Sequence, residues 1–157
     1  MLESGYSLNR PVYFIWYAAE EVGLVGSREV VKFAKANNWS VDSVLHFDTV
    51  GRRAKADDAT LWFLRDNVDN DFTDYVAKLV EQYVKLPVDY TTCGYACSDH
   101  ASWTDGGFVS AAAVESSFAD LNPYLHTTED TMEKVSIDNL VNYTKLALAY
   151  VVDRSAS

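Results

Sequence analysis

A chain of 157 residues holds about one domain, large enough to bury a core and small for an α/β enzyme. With 48% hydrophobic and 23% charged residues its composition is globular, and a net charge of -10 sets it against nucleic acid and anionic membrane while favouring a cation. No apolar run nears the ~20 residues of a membrane helix, and the opening MLESGYSLNR lacks the basic start and apolar core of a signal peptide, so a soluble chain is expected.

Residues 2–6 read as the tail of a helix ended by Gly5. The stretch PVYFIWYAAEEVGLVGS at residues 11–27 is the most distinctive in the chain. Its apolar core, residues 12–19, shows no polar alternation, which predicts a strand buried on both faces of a sheet. Glu20 and Glu21 follow at the carboxyl end, where open α/β sheets bind ligands, and Gly23 and Gly26 supply turn chemistry. Two adjacent carboxylates are common in solvated loops, but they also suit divided labour between a metal ligand and a proton acceptor.

Ser27 is the expected cap of a helix carrying Val30, Val31, Phe33 and Ala34 at helical spacing and ending at Asn37 and Asn38. The short strand SVLHFD, residues 43–48, delivers Asp48 at its end. A polar loop over residues 51–59 precedes a strand at 60–64. A helix from about Asn70 places Phe72, Tyr75, Val76, Leu79 and Tyr83 on one face. Residues 87–92 suggest another strand, residues 100–104 a helical turn, and Gly106-Gly107 a break. The strand at 108–114 ends on Glu115, and Ser136 caps a last amphipathic helix to about Val152. Strands alternating with helices predict an α/β fold with a mixed, mostly parallel sheet sandwiched by helices, in one domain over residues 1–157. Glu20, Glu21, Asp48 and Glu115 are then expected along one edge of the sheet, with His126 in a polar loop nearby. Carboxylates with an imidazole are the donor set of a hydrolytic zinc site.

Cys93 and Cys97 are the only cysteines. Their three-residue gap is not that of a zinc ribbon or a thioredoxin motif, and it favours a short-loop disulfide over free thiols. Such a bridge implies an oxidising compartment for the parent protein.

Taken together, YAAEEVGLVGS, LHFD, TTCGYACSDHASW and NPYLHTTEDT resemble the bacterial secreted leucyl aminopeptidases, which are co-catalytic zinc exopeptidases of α/β sandwich fold. The resemblance covers residues 10–150. It implies that Glu20 is the general base, that Glu21 and His126 bind one zinc, and that Asp48 binds a second. It implies a Cys93–Cys97 disulfide bordering the pocket for the substrate's N-terminal side chain. Tyr95, Val114, Phe118 and Leu125 become pocket positions, and core packing is the competing reading of each aromatic. Asp99 and His100 are read as organising their loop.

Two further ligands of that family, a histidine and a bridging aspartate, have no counterpart upstream of Glu20. The chain therefore resembles the C-terminal half of such a domain. The expectation is an aminopeptidase by descent, acting on peptide N-termini and secreted or periplasmic in its parent form. Alone, this chain is expected to hold zero or one zinc, to be silent in catalysis, and to self-associate through an exposed sheet edge or apolar face. The competing reading is a non-catalytic fragment that binds or complements without turnover.

Overall fold

The computed structural model describes residues 5, 7–53 and 58–156, so the helix tail read at residues 2–6 falls, apart from Gly5, outside the described residues. The described elements are α1 (Val25–Ala36), β1 (Val44–Phe47), β2 (Leu61–Leu64), α2 (Asn70–Leu79), β3 (Val88–Thr91), α3 (His100–Asp105), β4 (Ser110–Val114) and α4 (Ile137–Ala156). The strands form one sheet in the order β1-β4-β2-β3. β1 runs parallel to β4 and β2 parallel to β3, while β2 and β4 are antiparallel. This is the mixed, mostly parallel sheet that the sequence predicts.

Alternation along the strands sorts the core into two faces. Leu61, Phe63, Ala111 and Ala113 face α2, the turn after it and α4, where they meet Val76, Tyr143 and Leu146. Val44 packs on the opposite side with Val31, Ala34 and Trp103 of α1 and α3. All five residues of β4 are buried. A run of small side chains suits such a strand, because helices cover both of its faces.

Helix ends follow local chemistry. Asp69 accepts from the Phe72 amide at 2.8 Å and caps α2, and Ser136 accepts from the Asn139 amide at 3.2 Å. Ser27 is a correction. α1 begins two residues earlier, after Leu24 in a left-handed conformation (φ 58°), and Ser27 lies buried inside it. Its hydroxyl donates to the Leu24 carbonyl and pairs with Ser102 Oγ at 2.8 Å, joining α1 to α3. Tyr83 is another. After α2 the chain widens into a π turn over Val80–Val84, which rotates later side chains off the helical face and leaves Tyr83 52% exposed.

The largest departure concerns residues 12–19. They pair with no strand among the described residues, and Tyr13, Phe14 and Trp16 are 64%, 66% and 86% exposed. Apolar composition encodes a wish for burial and not the identity of the partner. What holds the segment is side-chain contact and its two ends. Tyr13 stacks on Trp39 at 4.9 Å, and Tyr17 Oη accepts from Trp103 Nε1 at 2.7 Å. Arg10 pairs with Asp42 at 3.0 Å. At the far end the Gly26 amide donates to the Ala18 carbonyl at 3.0 Å, a contact so close that a Cβ on Gly26 would stand 2.3 Å from that oxygen.

Gly26→Ala is expected to cost about 1–3 kcal/mol, because backbone must move to admit the methyl group. Gly51→Ala is the control, since its added Cβ meets only Val135 methyls at 3.7 and 3.8 Å and φ is not positive there. Urea unfolding of both variants checks this, and equal midpoints would count against the close contact.

Candidate active site

Each acidic residue of interest arrives by a tight backbone device. Glu20 and Glu21 open the turn before α1, whose hydrogen bonds run from Gly23 and Leu24 amides to the Glu20 carbonyl. Asp48 follows β1. His126 sits in the loop after β4, a loop zipped to the rest by Arg52. That guanidinium donates to Asn122 at 3.2 Å and lies 5.5 Å from the Tyr124 ring, while Lys134 covers the same ring at 4.5 Å.

Three positive φ angles mark these positions. Ala19 (58°) precedes Glu20, Thr49 (46°) follows Asp48, and His126 itself is at 62°. For residues with a Cβ, and for β-branched Thr49 above all, this conformation costs on the order of 1–3 kcal/mol each, and such strain gathers at functional sites.

Of the residues singled out by sequence, Glu21 and His126 meet directly, Oε1 to Nε2 at 2.8 Å. Glu20 is half-buried beside them. Burial raises its pKa above the ordinary carboxylate value, and the negative charges of Glu21, Asp48 and Asp99 raise it further, with His126 opposing. Asp48 Oδ2 accepts from Ser98 Oγ at 2.8 Å, and Ser98 Oγ lies 2.8 Å from His46 Nε2. Because the hydroxyl proton goes to Asp48, the imidazole must donate from Nε2. Burial lowers the His46 pKa and keeps that ring neutral. Burial likewise pushes His100 down to about 4, with its ring 5.9 Å from that of His46. This chain of polar contacts was not legible in the sequence, since Ser98 lies 50 and 52 residues from Asp48 and His46.

A cavity of about 1930 Å³ opens at these groups. Glu20, Glu21, Asp48 and His126 line it together with Tyr95, Cys97, Val114, Phe118 and Leu125. Tyr95 and Phe118 meet edge to face at 6.2 Å. Cys93 lies behind this wall, packed with Leu64 and Val114 and bonded to Cys97. The disulfide loop hangs on Asp66, whose carboxylate accepts from the Gly94 amide at 2.6 Å and the Cys93 amide at 3.2 Å. Gly94 is at φ 82°, which a side chain would resist.

Glu115 does not join the other carboxylates. Only 6% exposed, it turns behind β1, where Oε2 accepts from the Arg52 amide at 2.5 Å and its own amide donates to Thr49 O at 2.9 Å. Its task is to hold the Asp48 turn. Burial pushes this carboxyl up to about 7 against the pull of Arg52.

The donors fit zinc in kind but not in number. Carboxylate and imidazole are apt ligands, yet a catalytic zinc usually takes three from protein, and among the described residues no group of three or more His, Cys, Asp or Glu is placed to hold a metal.

A mixed α/β sheet that brings carboxylates and an imidazole to one mouth, beside an apolar wall, is an arrangement suited to hydrolysis. The chain belongs to peptidase family M28, which matches residues 1–151. A probable leucine aminopeptidase from Arthroderma benhamiae is 34% identical over 140 residues, which is 89% of this chain and 38% of the relative. The LapA aminopeptidase of Legionella pneumophila superposes with a TM-score of 0.96 at 45% identity, over 99% of this chain and 42% of its own. BSAP, a zinc aminopeptidase from Bacillus subtilis, shares the fold with a TM-score of 0.72 at 24% identity, over 88% of this chain and 34% of its own. The chain thus spans well under half the length of each.

Two outcomes are expected here. Alkylation without reductant should leave Cys93 and Cys97 unlabelled in mass spectra, and full labelling of both would contradict the bridge. Between pH 4.5 and about 7 the native Glu115 carboxyl keeps a proton that the unfolded one releases, so its contribution to stability falls as pH rises through that window. Denaturation at pH 5 and pH 8 should therefore show a drop that is smaller in Glu115→Gln by about 1–3 kcal/mol. Identical pH profiles would remove Glu115 from that role.

Proposed function

We propose that this chain carries the general base and part of the metal-ligand set of an aminopeptidase that is zinc-dependent in its complete form. The convergence of Glu20, Glu21, Asp48 and His126 on one cavity mouth carries the reading. The names of the relatives support it.

Glu20 is the proton acceptor. Desolvation and three negative neighbours lift its proton affinity, which suits a group that must take a proton from an attacking water and return it to the leaving amine. Glu21 and His126 are the paired donors for one ion, and Asp48, oriented by Ser98 and His46, is the donor for another. Zinc, when bound by a full ligand set, acidifies that water and polarises the scissile carbonyl. Carboxylates at the mouth attract the positive N-terminus of a peptide. Tyr95, Val114, Phe118 and Leu125 offer an apolar wall to its first side chain, which supports release of apolar residues. The Cys93–Cys97 bridge supports a secreted or periplasmic setting.

The donor count favours a second statement about residues 1–157 taken alone. They hold zero or one zinc and turn over nothing, because Glu21 with His126 makes two ligands and Asp48 makes one. Zinc titration by calorimetry should give at most one site, weaker than about 1 μM. Glu21→Ala and His126→Ala should abolish it, and Glu20→Gln should leave it intact. A chromogenic leucine amide should not be hydrolysed. A monomer that binds two zincs and releases leucine would refute this statement, and equal zinc loss in the Glu20 and Glu21 variants would refute the division of roles.

A further inference from the structure

The apolar wall of the cavity stands on a loop with little support of its own. Tyr95 lies between Cys93 and Cys97, and residues 92–97 make no backbone-to-backbone hydrogen bond among the described residues. The disulfide does not supply the missing anchor. It joins positions 4 apart within the loop, so it constrains the loop's own shape and not its place on the body of the protein. The Tyr95 ring is 60% exposed, and its position depends on whatever holds its backbone.

Two residues just beyond β2 hold it. Asp66 accepts from the Gly94 and Cys93 amides, and Asn67 Nδ2 donates to the Tyr95 carbonyl at 2.9 Å. Three successive loop residues are gripped in this way, two of them by an ionised carboxylate, whose hydrogen bonds are the stronger kind. The grip is founded on the core. Asn67 sits at φ 54°, a left-handed conformation that asparagine tolerates, and its carbonyl accepts from Thr104 Oγ1 of α3 at 2.8 Å. That hydroxyl lies 2.6 Å from the buried Ser110 Oγ of β4. The opposing ring is fixed from the same place. Thr91, the last residue of β3, takes the Arg65 amide on its carbonyl at 2.9 Å and the Phe118 amide on Oγ1 at 2.8 Å. Tyr95 and Phe118, which meet edge to face, therefore both hang by their backbones from the ends of β2 and β3. Asp66 and Asn67 do not line the cavity, so any effect they have on a ligand passes through Tyr95.

We propose that Asp66 and Asn67 are positioning residues for the substrate's first side chain: they, and not the disulfide, hold the Tyr95 ring against Phe118, and so they set the preference for a large apolar side chain over a small one. The grip is read from this chain, and the use of the wall by a substrate rests on the aminopeptidase reading. A ring already in place gives its contact area without being ordered by the ligand, whereas a loose ring must be immobilised at each binding event. A leucine side chain reaches the wall and bears that cost in full. An alanine methyl group leaves most of the wall untouched and is nearly indifferent to it.

The test uses residues 1–157 with L-leucinamide and L-alaninamide as probes, their binding read from NMR shifts of the Tyr95 and Phe118 amides. The unaltered chain should prefer leucinamide by about tenfold. Asp66→Asn replaces one acceptor oxygen with a donor, and Asn67→Gly removes the side chain while suiting the left-handed backbone. Each should cut the preference below about threefold and erase the Overhauser contact between the Tyr95 and Phe118 rings. Asp66→Asn should also speed hydrogen exchange at Gly94 about tenfold, whereas reducing the bridge with dithiothreitol should change it less than about twofold. Tyr95→Phe keeps both ring and carbonyl and should retain the preference. A lowered urea midpoint with the preference intact would make the two residues structural only and overturn the proposal. No preference in the unaltered chain, or reduction that loosens Gly94 as much as Asp66→Asn does, would overturn it as well. N-acetyl-L-leucinamide is read separately: binding as tight as that of leucinamide, with the preference still dependent on Asp66 and Asn67, retains the grip and counts against recognition of a free amine. Amine recognition with a preference that neither variant moves does the reverse.

Discussion

β4 is the constraint on which the remaining structure depends. Its sequence, Ser-Ala-Ala-Ala-Val, is buried at every position, with β1 on one edge, β2 on the other and helices over both faces. Small side chains let both helical layers approach the sheet closely, and one larger residue would push a layer away. From that strand the positions of the chemistry follow. Asp48 leaves β1 beside the end of β4, the Asp48 amide still bonded to Ala113 O, and Glu115 leaves β4 to grip the turn that Asp48 begins. The acidic mouth is thus a product of strand pairing in the middle of the sheet.

Electrostatics then divide the carboxylates by surroundings. Glu115 is enclosed and holds its proton unusually well, Glu20 is half-enclosed among like charges, and Glu21 stands largely in water against His126. Similar side chains acquire different chemistry because the fold exposes them to different amounts of water and to different neighbours. Ser98 and His46 add a further layer, since a carboxylate held by a hydroxyl that is itself held by a neutral imidazole loses rotational freedom without losing charge.

Much of this was legible in the residues, for identifiable reasons. Short apolar runs became β1, β2, β3 and β4, and the 3.6-residue period became α1, α2 and α4, because those patterns describe burial on a face. Motif resemblance singled out Glu20, Glu21, Asp48 and His126, and the fold brings all four to one cavity. What was not legible depended on partners distant in sequence or on backbone alone. The start of α1 is set by a left-handed Leu24, which carries no capping signature. Glu115 looked like its fellow carboxylates until Arg52 claimed it from 63 residues away. The run at residues 12–19 announced a buried strand, and what it packs against could not be read from its own letters.

α4 reaches across β1 from end to end. Asn139 donates to the carbonyls of Val50 and Arg52, Tyr143 to that of Val114, Tyr150 to that of Ser43, and Arg154 binds Asp42. These contacts join residues about 90 to 110 positions apart in the first and last cases. During synthesis, then, β1 and β4 remain without their clamp until residues 137–154 have emerged from the ribosome, and the nascent chain must spend that interval with its apolar strands uncovered.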